Sequence, residues 1–254
     1  GIKLEKVDRF IEGMKDASAA PIFNECRQWL LDNLDRFDNL TKEDVESISP
    51  EICNCATLST LHGCPPQEIE RIASYLLTEK KVHTFIKCNP TLLGYEYARK
   101  LMDDMGYDYV AFGDFHFRDD LQYTDAVPML QRLQKLADKK GLEFGVKITN
   151  TFPVDVKQNE LPSEEMYMSG KSLYALSMSV AQKLAKDFDG KLRISYSGGA
   201  DYFNITKIVD AGIWPVTMAT TMLKPGGYER LEQIGQLFKA KEAAAFAGVS
   251  AEKV

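Results

Sequence analysis

Residues 192–201 read Leu-Arg-Ile-Ser-Tyr-Ser-Gly-Gly-Ala-Asp, a strand-like run that ends in a Gly-Gly turn. A helix-like stretch follows over 202–211. Residues 213–228 then read Ile-Trp-Pro-Val-Thr-Met-Ala-Thr-Thr-Met-Leu-Lys-Pro-Gly-Gly-Tyr, a second strand-like run with a small polar turn. In a parallel α/β fold the two turns lie side by side at one rim. Glycines let the backbone approach a ligand closely, and free N–H groups favour anions, so this stretch predicts a phosphate site.

The alternation of strand and helix continues upstream of this stretch. We predict strands, from apolar runs bounded by Gly, Pro and Asn, over 54–60, 82–88, 108–112, 144–150, 192–197 and 215–219. We predict helices, from apolar residues at helical spacing, over 4–15, 21–37, 65–77, 95–105, 127–140, 173–187, 202–211 and 230–245. The segment 152–170 reads as a long irregular loop, which is uncommon unless it has a function.

Short strands alternating with helices predict parallel βα units and an α/β fold of the (β/α)8 TIM-barrel type. An eight-stranded barrel needs about 250 residues with every unit present, whereas six strands are predicted here. The chain also opens on a helix and on Gly1 rather than on Met. We therefore expect an incomplete barrel, its C-terminal portion, from a longer protein. Residues 1–50 are predicted to be a helical segment belonging to the barrel, 51–240 its βα units and 241–254 a tail.

Composition excludes several classes of protein. The 254 residues are 44% hydrophobic and 27% charged, with a net charge of −6 and no long basic run, which argues against a nucleic-acid partner. No apolar stretch approaches about 20 residues, which argues against a membrane span. An odd number of cysteines without a Cys-x-x-Cys pair predicts reduced thiols, no metal site and a cytoplasmic location. The five cysteines are Cys26, Cys53, Cys55, Cys64 and Cys88.

Polar residues collect where the predicted strands end, which is where barrels carry their chemistry. Lys87 and Lys147 lie inside otherwise apolar strands, and an unpaired lysine is costly to bury. The two lysines therefore predict anionic partners, and Asp114 is the structural alternative for Lys87. Asn150 and Thr151 follow the same strand as Lys147.

Five runs make a resemblance to a known family specific. Over about residues 50–240 the chain resembles the flavin-binding barrel of dihydroorotate and dihydropyrimidine dehydrogenases. It resembles still more closely the barrel of a large bacterial iron–sulfur flavoprotein family named for a selenate reductase subunit. The matching runs are 57–66 (TLSTLHGCPP), 89–95 (NPTLLGY), 164–170 (EEMYMSG), 195–200 (SYSGGA) and 223–228 (LKPGGY).

The resemblance implies FMN as the cofactor. It places the FMN phosphate on the backbone of two turns, at Ser197, Gly198, Gly199, Ala219 and Thr220. It also implies that a strand-end lysine stabilises negative charge on the reduced flavin. Lys87 is predicted for that role, and Lys147 competes with it.

The resemblance also implies catalytic and substrate-binding residues. Cys64 and Ser59 are the candidates for the acid that protonates a ring carbon beside the one receiving a hydride. The dehydrogenases have a denser Asn-x-Ser-Cys-Pro pattern, so which of the two residues acts stays open. Asn89, Asn150 and Thr151 are predicted to face the substrate. For Cys64 the structural alternative is a buried small apolar residue.

The predicted function is electron or hydride transfer between FMN and a small oxidised substrate, preferably a pyrimidine- or purine-like heterocycle. FAD, NAD(P)H and 4Fe-4S clusters would lie outside this chain, in other domains or subunits that are its partners, and a homo-oligomer is possible. One alternative is a non-redox, aldolase-like barrel that binds a sugar phosphate, with Lys147 as the Schiff-base lysine. The other alternative is a non-catalytic scaffold that docks redox partners.

Overall fold

The computed structural model describes residues 1–60, 62–241 and 244–254, and its centre is a parallel sheet. The six strands are β1 (Cys55–Ser59), β2 (His83–Cys88), β3 (Phe144–Ile148), β4 (Phe152–Asp155), β5 (Glu165–Met168) and β6 (Arg193–Tyr196). Four of them form one sheet in the order β1-β2-β3-β6, all parallel, and β4 and β5 form a separate antiparallel hairpin. Parallel neighbours in sequence order are the arrangement of a TIM barrel, although the described strands do not close one.

Helices connect the parallel strands. The α-helices are α1 (Glu5–Lys15), α2 (Pro21–Asp32), α3 (Lys42–Ser47), α4 (Pro66–Tyr75), α5 (Tyr95–Asp104), α6 (Phe115–Asp119), α7 (Tyr123–Lys140), α8 (Tyr174–Asp187), α9 (Ile205–Asp210), α10 (Thr220–Leu223) and α11 (Gly227–Gln236). A π-helical turn, Leu76–Lys80, extends α4, and 3₁₀ turns cover Leu34–Arg36, Pro90–Leu93 and Gly170–Leu173.

One face of the sheet forms the core. Ile86, Val146 and Ile194 occupy one row across β2, β3 and β6 and are all buried. α7 and α8 pack against this face, and Leu133 and Leu184 contribute buried side chains. Side chains alternate across a strand, so the residues between these apolar positions point to the opposite face.

That opposite face is polar. Its last full row reads Ser59, Lys87, Lys147 and Ser195, paired in register across β1, β2, β3 and β6. Ser59 is exposed, the two lysines are half-buried and Ser195 is buried. In a barrel this face is the interior side, and the row ends at the rim where chemistry is expected.

The predicted strand over 108–112 is wrong. Arg99 explains why, because its guanidinium donates to the carbonyl oxygens of Val110 at 2.6 Å and Tyr107 at 3.1 Å. The Ala111 carbonyl accepts from the Asp155 N–H at 2.8 Å. These carbonyls are thus used by a side chain and by the last residue of β4, and β2 pairs directly with β3.

The predicted strand over 215–219 exists only as a bridge. Tyr196 and Val216 form an isolated parallel bridge, with the Tyr196 N–H donating to Pro215 and the Thr217 N–H donating to Tyr196, both at 2.9 Å. The segment therefore runs beside β6, and its following residues reach the same rim as the Gly-Gly turn.

Other bounds shift. The predicted loop over 152–170 contains the β4–β5 hairpin, whose four-residue strands are too short for a clear alternation. α7 begins at Tyr123, four residues before the predicted start, and Pro128 lies inside the helix. The predicted helix over 230–245 is α11, which ends at Gln236, and residues 242 and 243 lie outside the described residues.

The C-terminal segment packs onto the domain. The N–H of Val249 donates to Gly190 and that of Ser250 donates to Ala211, both at 2.9 Å. Val249 is buried, and Phe246 lies edge-on to Trp214. The predicted tail is therefore held against the ends of α8 and α9.

Candidate functional site

A polar cavity lies at the rim, where β2, β3 and β6 end. Its volume is about 190 Å³. Its lining comes from Lys87 on β2 and from the segments that follow β3, β5 and β6: Thr149, Thr151, Ser169, Gly170, Leu173, Ser197, Gly199, Ala200, Thr217, Met218, Ala219, Thr220 and Thr221. No acidic side chain is among these described lining residues, so the cavity suits an anion.

Backbone N–H groups point to the same chemistry. Those of Gly199, Ala200, Thr220 and Thr221 line the cavity and donate to no acceptor within the described part of the chain. The Thr221 hydroxyl donates to the Ala200 carbonyl oxygen at 2.9 Å and so ties the two turns together. A cluster of backbone N–H groups without a protein acceptor is available to an anion such as phosphate.

Packing also requires glycine at both positions of the predicted phosphate turn. A Cβ added at Gly198 would overlap the Ser177 hydroxyl. A Cβ added at Gly199, where φ is +84°, would overlap the carbonyl oxygen of Gly170. Both glycines are thus required by the fold whether or not a ligand binds. Substituting them would disturb the structure, so Thr220 is the better position at which to test for a phosphate.

Lys87 and Lys147 are direct neighbours in register on the same face. Neither forms an ion pair with a carboxylate among residues 1–60, 62–241 and 244–254. The alternative pairing of Lys87 with Asp114 is wrong, because Asp114 pairs with Arg118 at 3.3 Å. Burial, followed by the charge of Lys87, lowers the pKa of Lys147. The expected anionic partners are therefore not described side chains, and the pair is free to meet an anionic ligand.

Asp120 organises the rim beside these lysines, and sequence reasoning missed it. Its side chain is 1% exposed. It accepts hydrogen bonds from the Gly63 N–H at 3.0 Å, from Asn89 Nδ2 at 2.9 Å and from Thr91 Oγ1 at 2.7 Å, and His62 Nδ1 lies at 2.8 Å. One buried carboxylate thus holds the loop after β1 against the loop after β2. The signal in the sequence was weak, because Asp120 lies in a polar loop 29 residues beyond Thr91.

The predicted substrate-binding asparagines come together through this carboxylate. Asn89, held by Asp120, accepts from Asn150 Nδ2 at 2.6 Å, and Ser59 lies 3.5 Å from Asn150 Oδ1. Ser59, Asn89 and Asn150 therefore form a chain of polar groups next to Lys87, with Thr151 at the edge of the cavity. Amide groups fixed in this way can read the donors and acceptors of a ligand.

Cys64 lies apart from the main cavity. It lines a small pocket of about 20 Å³ together with Asn89 and Asp120, and Lys87 borders both spaces. Burial, with a smaller effect from the charge of Glu68, raises the pKa of the Cys64 thiol. The thiol is therefore protonated at neutral pH and has a proton to donate. Cys64 is half-buried rather than fully buried.

A second histidine–carboxylate pair adjoins the first. His116 Nε2 lies 2.8 Å from Glu165 on β5, and the rings of His62 and His116 are 5.0 Å apart. This contact links the β4–β5 hairpin to the loop after β1. It connects two rim segments that no periodicity in the sequence could have brought together.

The predicted cofactor-binding residues thus lie at the cavity or beside it. The cavity collects most of the predicted cofactor-binding residues: Lys87, Ser197, Gly199, Ala219 and Thr220. Gly198, in the same turn as Gly199, packs against Ser177, and Lys147 lies beside Lys87.

Among the described residues no group of three or more His, Cys, Asp or Glu side chains could hold a metal ion. None of the described helices is both long and apolar enough to cross a bilayer.

An α/β domain with parallel strands and a cavity at the rim where those strands end is the class that this fold and site define. Residues 1–254 match the family described as oxidoreductase YgfK, N-terminal TIM-barrel domain, and the chain belongs to that family. The family description confirms the predicted TIM-barrel class and supports an oxidoreductase. The selenate reductase name stays a prediction.

Two curated relatives share 43% of their residues with this chain over 265 aligned positions. Both are named "Putative oxidoreductase YgfK", one from Escherichia coli (strain K12) and one from Escherichia coli O157:H7. The alignment covers 100% of this chain but 26% of each relative. The chain therefore spans about a quarter of the length of the curated relatives that it matches.

Solved structures give only a distant likeness. A DHODH from Eimeria tenella in complex with ferulenol is 16% identical, with a TM-score of 0.44, covering 85% of this chain and 61% of that one. A ligand-free DHODH from the same organism is 14% identical, with a TM-score of 0.36, covering 74% and 58%. TM-scores below 0.5 at such identities do not establish a common fold or activity.

Proposed function

We propose that this domain binds FMN at the rim and passes electrons or a hydride between the flavin and a small oxidised substrate. The observation that carries the proposal is the cavity itself. It joins a half-buried lysine to four backbone N–H groups without a described acceptor, and no described acidic side chain lines it. This donor set fits a phosphate together with a ring that takes up negative charge on reduction, and membership of an oxidoreductase family favours a redox cofactor.

The fit assigns separate roles to the residues present. Gly199, Ala200, Thr220 and Thr221 would hold the phosphate through their N–H groups. At about 190 Å³ the cavity is smaller than the roughly 300–1,000 Å³ of typical ligand sites, so it would take the phosphate end. The ring would then lie by the half-exposed lysine pair.

When bound, FMN supplies hydride and single-electron transfer. The protein's own groups do the rest. Lys87 and Lys147 present fixed positive charge to the ring, which favours its anionic reduced form. Asn89, fixed by Asp120, and Asn150, which donates to Asn89, orient a polar substrate, for which a pyrimidine- or purine-like heterocycle remains our preferred class. Cys64, protonated at neutral pH, and Ser59 are the candidate proton donors.

The length of the curated relatives suggests where electrons come from. Because this chain covers 26% of each relative, most of the relatives' residues lie elsewhere. We propose that FAD, NAD(P)H or 4Fe-4S modules outside this domain exchange electrons with it, as the sequence resemblance implies.

A titration of FMN followed by flavin fluorescence and absorption tests the proposal. Replacing Lys87 by methionine should weaken FMN binding by about 10–100-fold, the value of one charge-assisted contact. Lys140→Met is the matched control, because Lys140 is exposed at the end of α7, before β3 begins, and should leave binding unchanged. No binding of FMN by the full-length protein would overturn the proposal.

A second function has one observation in its favour. The lowered pKa of Lys147 is what a Schiff-base lysine needs, since the neutral amine is the nucleophile. An aldolase-like enzyme would place a sugar phosphate in the same cavity. Borohydride trapping of a carbonyl substrate on Lys147, in protein that binds no flavin, would select this function.

A further inference from the structure

α1 and α2 border an open apolar groove, which we call the N-terminal groove. Its volume is about 430 Å³, larger than that of the polar cavity. The side chains that line it include Phe10, Met14, Ile22, Phe23, Cys26 and Ile52. Phe10 is 66% exposed and Ile22 is 67% exposed. Contiguous exposed apolar surface on a folded domain marks a site of interaction.

The two helices lack a packing partner for this face within the described residues. Neither α1 nor α2 contains a buried residue. Helices of 11 and 12 residues are marginal alone in water and depend on packing of an apolar face. On its other side α1 is fixed by polar contacts, since Lys80 pairs with Asp8 and Glu12. The apolar face is therefore held in place but left open.

The shape of the groove favours a polypeptide over a small molecule. Sites for small ligands bury most of the ligand surface, roughly 70–90%. Here Phe10 and Ile22 in the walls are themselves about two-thirds exposed, so a small ligand beside them would remain largely in water. Arg9 is the charged residue of the lining, and it forms no ion pair with a described carboxylate. The groove thus fits apolar side chains flanked by an acidic residue.

The length of the relatives points to a source for such a segment. This chain covers 26% of the Escherichia coli (strain K12) relative, and the family is an N-terminal domain. About three quarters of the relative therefore lies outside the matched region. A segment of the same polypeptide binds at high effective concentration, and a groove with one charge is typical of a permanent contact.

We propose that the N-terminal groove is the docking site for an apolar, acid-flanked segment of the polypeptide that follows this domain in the longer protein. The inference is independent of the proposed flavin function. It assigns α1 and α2 the role of joining the barrel domain to the rest of the chain.

Cys26 reports on the groove directly, because its thiol is exposed in the domain and lines the groove. The experiment follows alkylation of Cys26 by peptide-resolved mass spectrometry in the native full-length protein. We expect Cys26 to react at least about tenfold more slowly in the wild type than in Phe10→Asp, whose carboxylate disrupts the contact. Ile22→Asp should do the same. Both side chains are largely exposed in the domain, so neither change should lower its melting temperature.

Tyr109→Ser is the matched control, because Tyr109 is 76% exposed away from the groove and should leave Cys26 protected. Equal rates in the wild type and Phe10→Asp would overturn the proposal. Protection that increases with protein concentration would also overturn it, because a second copy would then cover the groove.

Discussion

At the scale of single residues, the lysine pair of the polar face sets the chemistry of the rim. Lys87 and Lys147 occupy adjacent strands about 4.8 Å apart, the usual spacing in a sheet. Two like charges at that spacing repel each other, and partial burial adds a desolvation cost. The fold accepts this cost without a described counter-charge, which is typical of a functional site.

The cost of keeping Lys147 charged in the folded protein predicts how the free energy of unfolding depends on pH. Because the folded-state pKa of Lys147 is lowered, the unfolded chain binds more protons between that pKa and the ordinary value of 10.5, and stability rises with pH across this window. Lys147→Met should therefore stabilise the protein at pH 7, by about 0.5 kcal/mol for a half-exposed charge. The gain should disappear as the pH approaches 10.5.

Urea unfolding at several pH values measures this gain. Lys140→Met, at an exposed position, should show no comparable gain at pH 7. A loss of stability on Lys147→Met at pH 7 would mean that the lysine is paired in solution.

Asp120 makes a second prediction at this scale. Asp120→Asn keeps the size of the side chain but removes the charge that four donors share, so it should cost about 2–3 kcal/mol. The neighbouring Asp119 is exposed, and Asp119→Asn should change the free energy of unfolding by less than about 0.5 kcal/mol. Urea denaturation of both variants gives the comparison. Equal effects would show that the carboxylate does not hold the rim loops.

At the scale of elements, sequence reasoning succeeded where a local pattern decides the structure. Pro65 and Pro66 open α4 as predicted, and Gly141 ends α7 in a left-handed conformation. It failed where distant groups compete for the backbone. Residues 108–112 look like a strand, but the Arg99 side chain and the last residue of β4, Asp155, bond to the carbonyl oxygens of Val110 and Ala111. Neither partner is visible in the local pattern.

The attachment of α1 is a prediction at this scale. Lys80 is buried under α1, and its contacts with Asp8 and Glu12 raise the pKa of the lysine and lower that of Asp8. The pKa of Glu12 is lowered by its hydrogen bond with Lys15 and then by that with Lys80. The contacts are therefore present above the ordinary carboxyl pKa values and are lost as the pH falls through the lowered ones. Lys80→Met should release α1 at neutral pH.

Hydrogen exchange resolved by segment measures this release. Amides of Glu5–Lys15 should exchange faster in Lys80→Met, while those of β2 keep their protection. Lys81→Met, at the next and exposed position, is the control. Unchanged exchange in α1 would mean that another contact anchors the helix.

At the scale of the whole molecule, the α/β class and the TIM-barrel family were predictable, because the order of strands and helices is a property of the sequence pattern. The gathering of Lys87, Thr220 and the Gly-Gly turn around one cavity followed from the rule that strand ends meet at one rim. Asp120, His116 and Glu165 could not be placed, because their contacts depend on how the rim loops fold over one another.

The central claim is that the cavity holds the phosphate of FMN, and one comparison tests it directly. The affinities of the full-length protein for FMN and for riboflavin, which lacks the phosphate, are measured in the wild type and in Thr220→Asp. We predict that the wild type prefers FMN by at least about tenfold, and that the new carboxylate abolishes this preference while leaving riboflavin binding nearly unchanged. Equal affinity for both flavins in the wild type, or an FMN preference that survives Thr220→Asp, would contradict the account.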